Sequence, residues 1–586
     1  MGSASGARYQ RLQAHDWSEE EEEEEQKEKV TIHLHSVSAR SLLSRQKRES
    51  CLRITASMVL LSVGLYFGFH ILRYSSLEAP EKGGGAKDGK AHHGEGDHPH
   101  DNQAAHAHRH KKGVYHHAAV VTDSEICSGF AKEILTKGGT AVDAGVAAML
   151  CLGVVHPHST GIGGVLSAVF HNKTSGTTKV LNALPTESLN LSCGVPSTLQ
   201  GLRLLHREYG SLGWAELCRR SARLAREGFP VDHILAGAMR EAAGQGTVLC
   251  PLLCDQGRAL KGAGANSTNR KLADVLEQVS AEMEDASFPE PLAWLLARDV
   301  AGPDPRVFAE AIRRQRAALV EPLVTELGHF FLYVPPPPTA GDVLVQIVKR
   351  AGQLGLSLSS VSGAKNAAGT YRDILSAAQQ VYRSLPGFLG MVRENGQDRG
   401  RGKPSLKTAR AGSHVTVIDA SGNAVTMVGS LNSTFGAKFL SPSTGIFLSD
   451  FTGDADAGVL YWACPAILRA IAADDLVAVA GTGGASAPFA VAQVVVSKLY
   501  FEKSVGEALS GPRFYLSVGR GRGTLRKRVS GLQRESEIYT RLCREEPELE
   551  LVNGTAGGVT TTVVESHLGH TSAFGQPQAC AYVNGY

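Results

Sequence analysis

Two pairs of adjacent glycines have the residue type and spacing that could stabilise a negatively charged reaction intermediate. They are Gly163-Gly164 and Gly483-Gly484. Glycine lets the backbone approach a ligand closely, and two adjacent backbone N–H groups can bind an oxyanion. An ordinary tight turn is the alternative interpretation of either pair. The chemistry that such a pair would serve is attack on a carbonyl group.

Asn432 is a second candidate for ligand contact, because its amide offers both a donor and an acceptor to the polar end of an amino acid. Asn432 also begins the glycosylation sequon Asn432-Ser433-Thr434, which is the alternative interpretation. A residue in a buried pocket would not carry a glycan. Four other sequons are therefore the better glycan candidates: Asn172, Asn190, Asn266 and Asn553.

The amino-terminal part of the chain separates into three segments. Residues 1–53 are polar and contain the acidic run Glu19–Glu25, which is typical of a solvated tail. Ile54–Leu72 is apolar and would form a helix of about 28 Å, long enough to cross a bilayer. Residues 73–113 form a stalk rich in Gly, Lys and His. The cationic residues before Ile54 predict that the amino side is cytoplasmic.

A cleaved signal peptide is the competing interpretation of the apolar segment. The segment begins too deep in the chain for that, and no small-residue cleavage site follows it closely. We therefore expect an uncleaved, single-pass type II anchor, with the bulk of the chain extracellular or lumenal.

The composition of the stalk and the net charge limit the classes of partner that we expect. Histidine-rich tracts can bind zinc or copper loosely, but a hydrophilic linker is the plainer interpretation. No Cys/His spacing in the stalk would hold a tetrahedral zinc, so we expect no metal site and no cofactor. The net charge of +3 indicates no strongly charged partner, and we expect no nucleic-acid binding.

The remaining chain mixes strand and helix patterns. An apolar run at Ala118–Val121 predicts a strand, and Ala141–Leu152 predicts a helix. Two apolar runs around Ser421-Gly422-Asn423 predict a β-hairpin. Strand pairs interleaved with helices favour an α+β sandwich of layers.

Nine of the ten cysteines follow the apolar segment, which points to an oxidising compartment with at least one cysteine free or bridged to another chain. Cys127 and Cys151 flank a helix–Gly-Gly–helix unit, whose antiparallel return could bring them within bridging distance. Cys250 and Cys254 enclose a three-residue loop. We expect two disulfides, Cys127–Cys151 and Cys250–Cys254.

Six pieces of sequence, in order between about residue 114 and about residue 516, together resemble the gamma-glutamyltransferase family. They are Cys127–Cys151, His156–Gly164, Ser430–Gly436, Ser441–Ile446, Gly481–Gly484 and Val505–Arg513. The resemblance implies a four-layer αββα sandwich of the N-terminal-nucleophile hydrolase type. It divides the chain into a large-chain-like region, 114–411, and a small-chain-like region, 412–586. Both expected disulfides match bridges that the family forms.

The resemblance also implies a reaction. In this family a precursor cuts itself before a Thr, whose hydroxyl then attacks the γ-glutamyl carbonyl of glutathione while the freed amine acts as base. The acyl group passes to water or to an amino-acid or peptide acceptor. Glutathione or another γ-glutamyl compound is the implied partner. The family's oxyanion loop corresponds to Gly483 and Gly484, and its glutamyl-binding stretch includes Ser430 and Asn432.

This chain departs from the family at several of the implied site positions. The nucleophile position is Gly412, which has no hydroxyl. Ser413 is a neighbouring candidate, but adjacent residues on a strand point to opposite faces, so a shifted register would be needed. The Arg that pairs with the substrate carboxylate corresponds to Leu184, and an acid that binds the α-amino group corresponds to Phe451. A companion acid is retained as Asp454.

Three hypotheses of function follow. The first is an active glutathione hydrolase and γ-glutamyl transferase that uses Ser413 or a shifted register. The second is a pseudoenzyme that keeps the fold for binding or assembly. The third is a His-rich surface protein that binds metal through its stalk.

Overall fold

The computed structural model describes the greater part of the chain from residue 113 onwards. The described ranges are 113–185, 193–242, 244, 246–256, 259–281, 287–300, 304–385, 411–451, 461–518, 525–552, 559–577 and 581–586. Within these ranges, no helix combines the length and the apolar character needed to cross a bilayer. The expected anchor Ile54–Leu72, the tail and the stalk up to residue 112 lie outside them.

Nineteen strands in the described ranges supply the sheets. In chain order they are β1 Val114–Tyr115, β2 Ala119–Thr122, β3 Val165–Asn172, β4 Thr177–Ala183, β5 Phe229–Pro230, β6 Asn266–Ser267, β7 Ala318–Val320, β8 Leu323–Leu327, β9 Phe330–Val334, β10 Ala411–Ile418, β11 Ala424–Asn432, β12 Cys464–Ala470, β13 Leu476–Thr482, β14 Arg513–Val518, β15 Leu525–Ser530, β16 Leu549–Leu551, β17 Thr560–His567, β18 His570–Gly575 and β19 Tyr582–Gly585.

Fourteen α-helices accompany these strands in the same part of the chain. They are α1 Glu125–Thr136, α2 Ala141–Val155, α3 Thr198–Tyr209, α4 Trp214–Glu227, α5 His233–Glu241, α6 Gly246–Leu253, α7 Arg270–Ala281, α8 Glu290–Asp299, α9 Pro305–Arg314, α10 Gly341–Gly352, α11 Ala364–Ser384, α12 Ala487–Tyr500, α13 Val505–Ser510 and α14 Glu537–Glu545.

Two seven-stranded antiparallel sheets form the centre of the fold. One has the order β19-β2-β10-β11-β3-β4-β7, and the other has the order β1-β18-β17-β13-β12-β9-β8. Apolar side chains from both sheets, such as Val121 and Val169 of the first and Ala478 and Val564 of the second, pack in one buried cluster between them. The two sheets therefore face each other.

Helices cover the outer face of each sheet. Helices α1–α9 pack against the first sheet in one large hydrophobic core, and α10–α14 pack against the second in another. The described residues have the four-layer αββα arrangement that the family resemblance implies.

Local sequence explains why α2 begins and packs where it does. Thr140 and Asp143 form a capping box: the Thr140 N–H donates to Asp143 Oδ2 at 2.9 Å, and the Asp143 N–H donates to Thr140 Oγ1 at 3.2 Å. Gly145 lets the helix approach β11, because a Cβ at this position would lie 2.6 Å from Cε of Met427. This close packing fixes α2 against the strand that carries one wall of the site.

Candidate active site

A cavity opens beside Gly412, between the carboxyl-terminal part of β11 and the turn that follows β13. It is a small cleft that is open to solvent. The described residues that line it are Gly412, Val428, Ser430, Asn432, Tyr461, Trp462, Ala463, Thr482, Gly483 and Gly484.

Gly412 lies near the start of β10, where the pairing with β11 is irregular. Ala411 pairs with Asn432, but Ser413 pairs with Gly429, so the register shifts across Gly412. A Cβ at Gly412 would lie 3.4 Å from Cβ of Thr482, which is ordinary van der Waals contact. The position expected for the nucleophile therefore faces the cavity, but it carries no reactive group.

Ser413 points away from this cavity. Its side chain is buried, and its Oγ lies 2.7 Å from Oγ of Ser159 in a hydrogen bond. This placement follows from strand alternation, as expected from the sequence. The hydroxyl of Ser413 is not available to a ligand beside Gly412 in this register.

A buried histidine and aspartate lie next along β10. His414 is fully buried, and its Nδ1 lies 2.8 Å from Oδ1 of Asp123. The backbone N–H of His414 also donates to Oδ2 of Asp123 at 3.0 Å. The sequence did not predict this pair, because the two residues are 291 positions apart. His414 lies in β10, and Asp123 directly follows β2.

The Gly483-Gly484 pair forms the turn that leads from β13 towards α12. Both residues have a positive φ, 110° and 71°, which favours glycine. A Cβ at Gly483 would lie only 2.5 Å from Cα of Val559. Both glycines line the cavity at the start of a helical segment, a place in the fold where backbone N–H groups commonly bind an anion or a carbonyl oxygen.

The other glycine pair has a packing role. A Cβ at Gly163 would lie 2.2 Å from the carbonyl oxygen of Phe447, and one at Gly164 would lie 2.5 Å from that of Ser430. Neither residue is among those that line the cavity. The tight-turn interpretation therefore fits Gly163-Gly164, and Gly483-Gly484 is the pair that lines the cavity.

Ser430 and Asn432 both line the cavity, from the end of β11. The Asn432 N–H donates to Ser430 Oγ at 2.8 Å, and Asn432 has a φ of 73°. Ser433 is held by Asp450, since its N–H and its hydroxyl both donate to that carboxylate, at 3.0 and 2.6 Å. The segment that carries the amide of Asn432 is thus fixed by hydrogen bonds.

A buried apolar cluster forms one side of the cavity. Leu184 and Phe451 lie in it, the two residues for which the sequence resemblance implies a carboxylate-binding Arg and an amine-binding acid in the family. Three other members, Val428, Tyr461 and Ala463, line the cavity itself. Asp454, the companion acid, lies outside the described residues. At these two described positions the side chains are apolar and buried.

Tyr461 contributes its ring to this cluster rather than a free hydroxyl. Its phenol donates to the carbonyl oxygen of Val428 at 3.0 Å, and its ring packs edge-on against Phe451 with centroids 6.0 Å apart. Burial raises the pKa of Tyr461, so the phenol stays neutral. Among the described residues that line the cavity, none has a charged side chain.

Both expected disulfides are present. Cys127 and Cys151 are bridged with their Cα atoms 5.5 Å apart, and Cys250 and Cys254 with theirs 4.4 Å apart. Within the described ranges, four further cysteines are unbridged: Cys193, Cys218, Cys464 and Cys543.

Two of the four expected glycosylation sites lie within the described residues. Asn172 is half-buried at the end of β3, and Asn266 is exposed in β6. Asn190 and Asn553 lie outside the described residues.

In the part of the chain that the structure describes, no group of three or more His, Cys, Asp or Glu side chains is arranged to hold a metal ion.

Comparisons with known proteins place this geometry in context. A family model described as Gamma-glutamyltranspeptidase matches residues 127–384 and 392–545. Glutathione hydrolase 6 of Bos taurus is 31% identical over 447 residues, which cover 76% of this chain and 78% of the bovine protein. Glutathione hydrolase 6 of Mus musculus is 36% identical over 365 residues, or 62% of this chain. That match spans 63% of the mouse protein, which is less than two thirds of its length.

Among solved structures, the cephalosporin acylase from Bacillus halodurans matches with a TM-score of 0.67 and covers 83% of this chain and 99% of that chain. Its sequence identity is 18%, so the likeness concerns the fold alone.

Proposed function

Because the chain belongs to the gamma-glutamyltranspeptidase family, we propose that its class of reaction is glutathione hydrolysis with γ-glutamyl transfer, and that its acyl-transfer step is impaired. The acceptors of that class are water and amino acids or peptides. The observation that carries the impairment is Gly412, which faces the cavity with no side chain. This is the second of the three hypotheses drawn from the sequence.

The acyl-transfer step depends on a nucleophile at the cavity. Covalent catalysis of this type needs a hydroxyl at the cavity and a base that takes its proton. Gly412 has no hydroxyl. The hydroxyl of Ser413 is hydrogen-bonded to Ser159 on the opposite side of the strand. The same hydroxyl would be needed for cleavage between Ala411 and Gly412. The Gly483-Gly484 turn would still bind a carbonyl oxygen or a carboxylate, so the protein can retain ligand binding after the loss of catalysis.

The substrate contacts support the same conclusion. A γ-glutamyl group carries a charged α-carboxylate and α-amine, and a bidentate Arg contact would hold the carboxylate. Leu184 and Phe451 stand where those charges are expected to be bound, and both are buried in the apolar cluster. A charge brought against such a wall loses its hydration without gaining a partner.

The test is turnover by the purified full-length protein. We expect neither glutathione nor a γ-glutamyl anilide to be consumed above the rate of a buffer blank, while an active family member serves as the assay control. The chain should remain in one piece of 62.1 kDa plus glycans. Amino-terminal sequencing of any smaller fragment identifies its origin. A start at Ser413 would reveal a working shifted nucleophile and overturn the proposal, whereas a start after a basic residue in 399–410 indicates an outside protease.

We further propose that the chain is a single-pass membrane ectoprotein with its amino terminus in the cytoplasm. The support is the apolar segment Ile54–Leu72 with its cationic amino-side flank. The exposed sequon at Asn266 and the two disulfides fit a lumenal or extracellular location. Protease added to intact cells should digest the part after Leu72 and leave an amino-terminal tag protected. Loss of the tag with the bulk protected would reverse the orientation.

A further inference from the structure

We propose that the cavity beside Gly412 binds carboxylic acids or amides with an apolar body, in place of a γ-glutamyl group. The body would be a short aliphatic or phenyl-bearing acyl group. This inference deepens the proposed function and depends on its claim that this cavity is the ligand site. It rests on the division of the cavity into an apolar side and a neutral polar side.

The apolar side is continuous with the buried cluster behind it. Val428, Tyr461 and Ala463 line the cavity, and Leu184 and Phe451 pack in the same cluster. All five side chains are at most 5% exposed. A ligand group placed here therefore meets hydrocarbon and an aromatic ring.

The polar groups on this side are already paired. The phenol of Tyr461 donates to the carbonyl oxygen of Val428 at 3.0 Å. The carbonyl oxygen of Leu184 accepts a hydrogen bond from the side chain of Gln315 at 2.6 Å. An incoming α-amine or α-carboxylate would gain no counter-charge from this wall, but an alkyl or phenyl group would gain contact with it.

The opposite side suits the head of such a ligand. Gly483 and Gly484 form the positive-φ turn before α12, and Ser430 and Asn432 add neutral polar groups. Thr482 Oγ1 is paired with Thr560 Oγ1 at 2.7 Å, so the donors considered for the ligand head are the backbone of the turn and the amide of Asn432. A carboxylate or amide oxygen at this turn would lie near the positive end of a helical segment.

The absence of a side chain at Gly412 adds space between these two sides. The nearest atoms to a Cβ built at Gly412 are those of Thr482 and the carbonyl oxygen of Gly429, at 3.4–3.5 Å. In an active family member this space would hold the nucleophile. Here it is available to the ligand, in a small cleft that is open to solvent.

The experiment measures the affinities of three carboxylates for the full-length protein by calorimetry. Pentanoate and glutamate have the same five-carbon length, and they differ in the charged amino-acid end. 3-Phenylpropanoate tests the aromatic body. Protein-free micelles serve as the blank for partitioning of the apolar acids. Glutathione turnover is assayed on the same preparation.

Two matched variants locate the binding site. Val428→Thr replaces a methyl group by a hydroxyl in the cavity wall with little change in size. Val425→Thr makes the same substitution on the same strand at a buried core position outside the cavity. Thermal unfolding of both variants checks that each is folded.

We expect pentanoate to bind at least about tenfold more tightly than glutamate, because the described residues of the wall offer no partner for the buried charges. Val428→Thr should weaken pentanoate about fivefold or more, whereas Val425→Thr should leave its affinity unchanged. Glutamate binding as tightly as pentanoate would overturn the inference. Absence of binding by all three acids at millimolar concentration, or equal losses in the two variants, would overturn it too. Glutathione turnover would instead contradict the proposed impairment, so the two failures are distinguishable.

Discussion

Gly412→Thr restores a hydroxyl at the position where a nucleophile would stand, and we predict that it does not by itself restore strong γ-glutamyl turnover. The substitution fits the fold: the new Cβ would be 3.4 Å from Thr482 and 3.5 Å from the carbonyl oxygen of Gly429. Gly412 is also absent from the residues with positive φ. The free energy of unfolding should therefore change by less than about 1 kcal/mol.

The expected deficit in turnover comes from the substrate carboxylate. Leu184 lies in the apolar cluster where the resemblance places a pairing Arg. A buried charge left without its partner costs about 3–5 kcal/mol. Since each 1.4 kcal/mol is about a factor of ten in rate, turnover should stay about 100- to 5,000-fold below that of an active family member.

The assay compares kcat/KM with a γ-glutamyl anilide for Gly412→Thr, Gly412→Ala and the double variant Gly412→Thr/Leu184→Arg. The alanine variant adds the Cβ without the hydroxyl and is the matched control. Amino-terminal sequencing reports whether the new threonine is freed, so low turnover by a cleaved chain isolates the substrate contacts. Turnover near the family's level by the single threonine variant would refute the reasoning and show that the carboxylate binds elsewhere than beside Leu184.

Three further predictions concern stability. Burial, together with the neighbouring charge of His156, lowers the pKa of His158 from 6.5 to about 3. As the pH falls, the imidazole is therefore protonated in the unfolded chain at a higher pH than in the folded protein. The free energy of unfolding should drop by about 2 kcal/mol between pH 7.5 and pH 5 in urea titrations, and His158→Asn should remove that part of the slope. Removing the Cys127–Cys151 disulfide should cost about 3.5 kcal/mol against about 2 kcal/mol for the shorter one, because its loop spans 24 positions rather than 4; the reverse order would contradict the loop-closure argument. Ser413→Ala should lower the free energy of unfolding by about 0.5–1.5 kcal/mol by removing the buried hydrogen bond to Ser159, whose hydroxyl keeps its bond to the carbonyl oxygen of His156, without changing ligand affinity; altered affinity would mean that Ser413 reaches the cavity.

Much of the scaffold could be predicted from local sequence. The β10–β11 hairpin follows from two apolar runs around a Gly-Asn turn, and α2 follows from an apolar stretch preceded by the Thr140–Asp143 capping box. Glycine at position 483 also has a local reason, since its φ of 110° is open chiefly to that residue. These features depend on neighbours in the chain, and so periodicity and turn chemistry report them.

Some strands could not be predicted in this way. β3 is buried at seven of its eight positions, because it lies between a helical layer and the second sheet. A strand buried on both faces has no alternation between polar and apolar residues, and its short apolar run resembles part of a buried helix. Only its pairing with β11 and β4 decides the assignment.

The sequence by itself determined that Gly412 carries no hydroxyl and that the chain has the collinear glycine and cysteine motifs of its family. Tertiary structure decided what surrounds that position. It directs Ser413 towards Ser159, and it brings Leu184 into one apolar cluster with Val428 and Tyr461, from segments more than 200 positions apart. Such contacts depend on sheet register and on packing between distant strands. Neither can be predicted from local residue patterns.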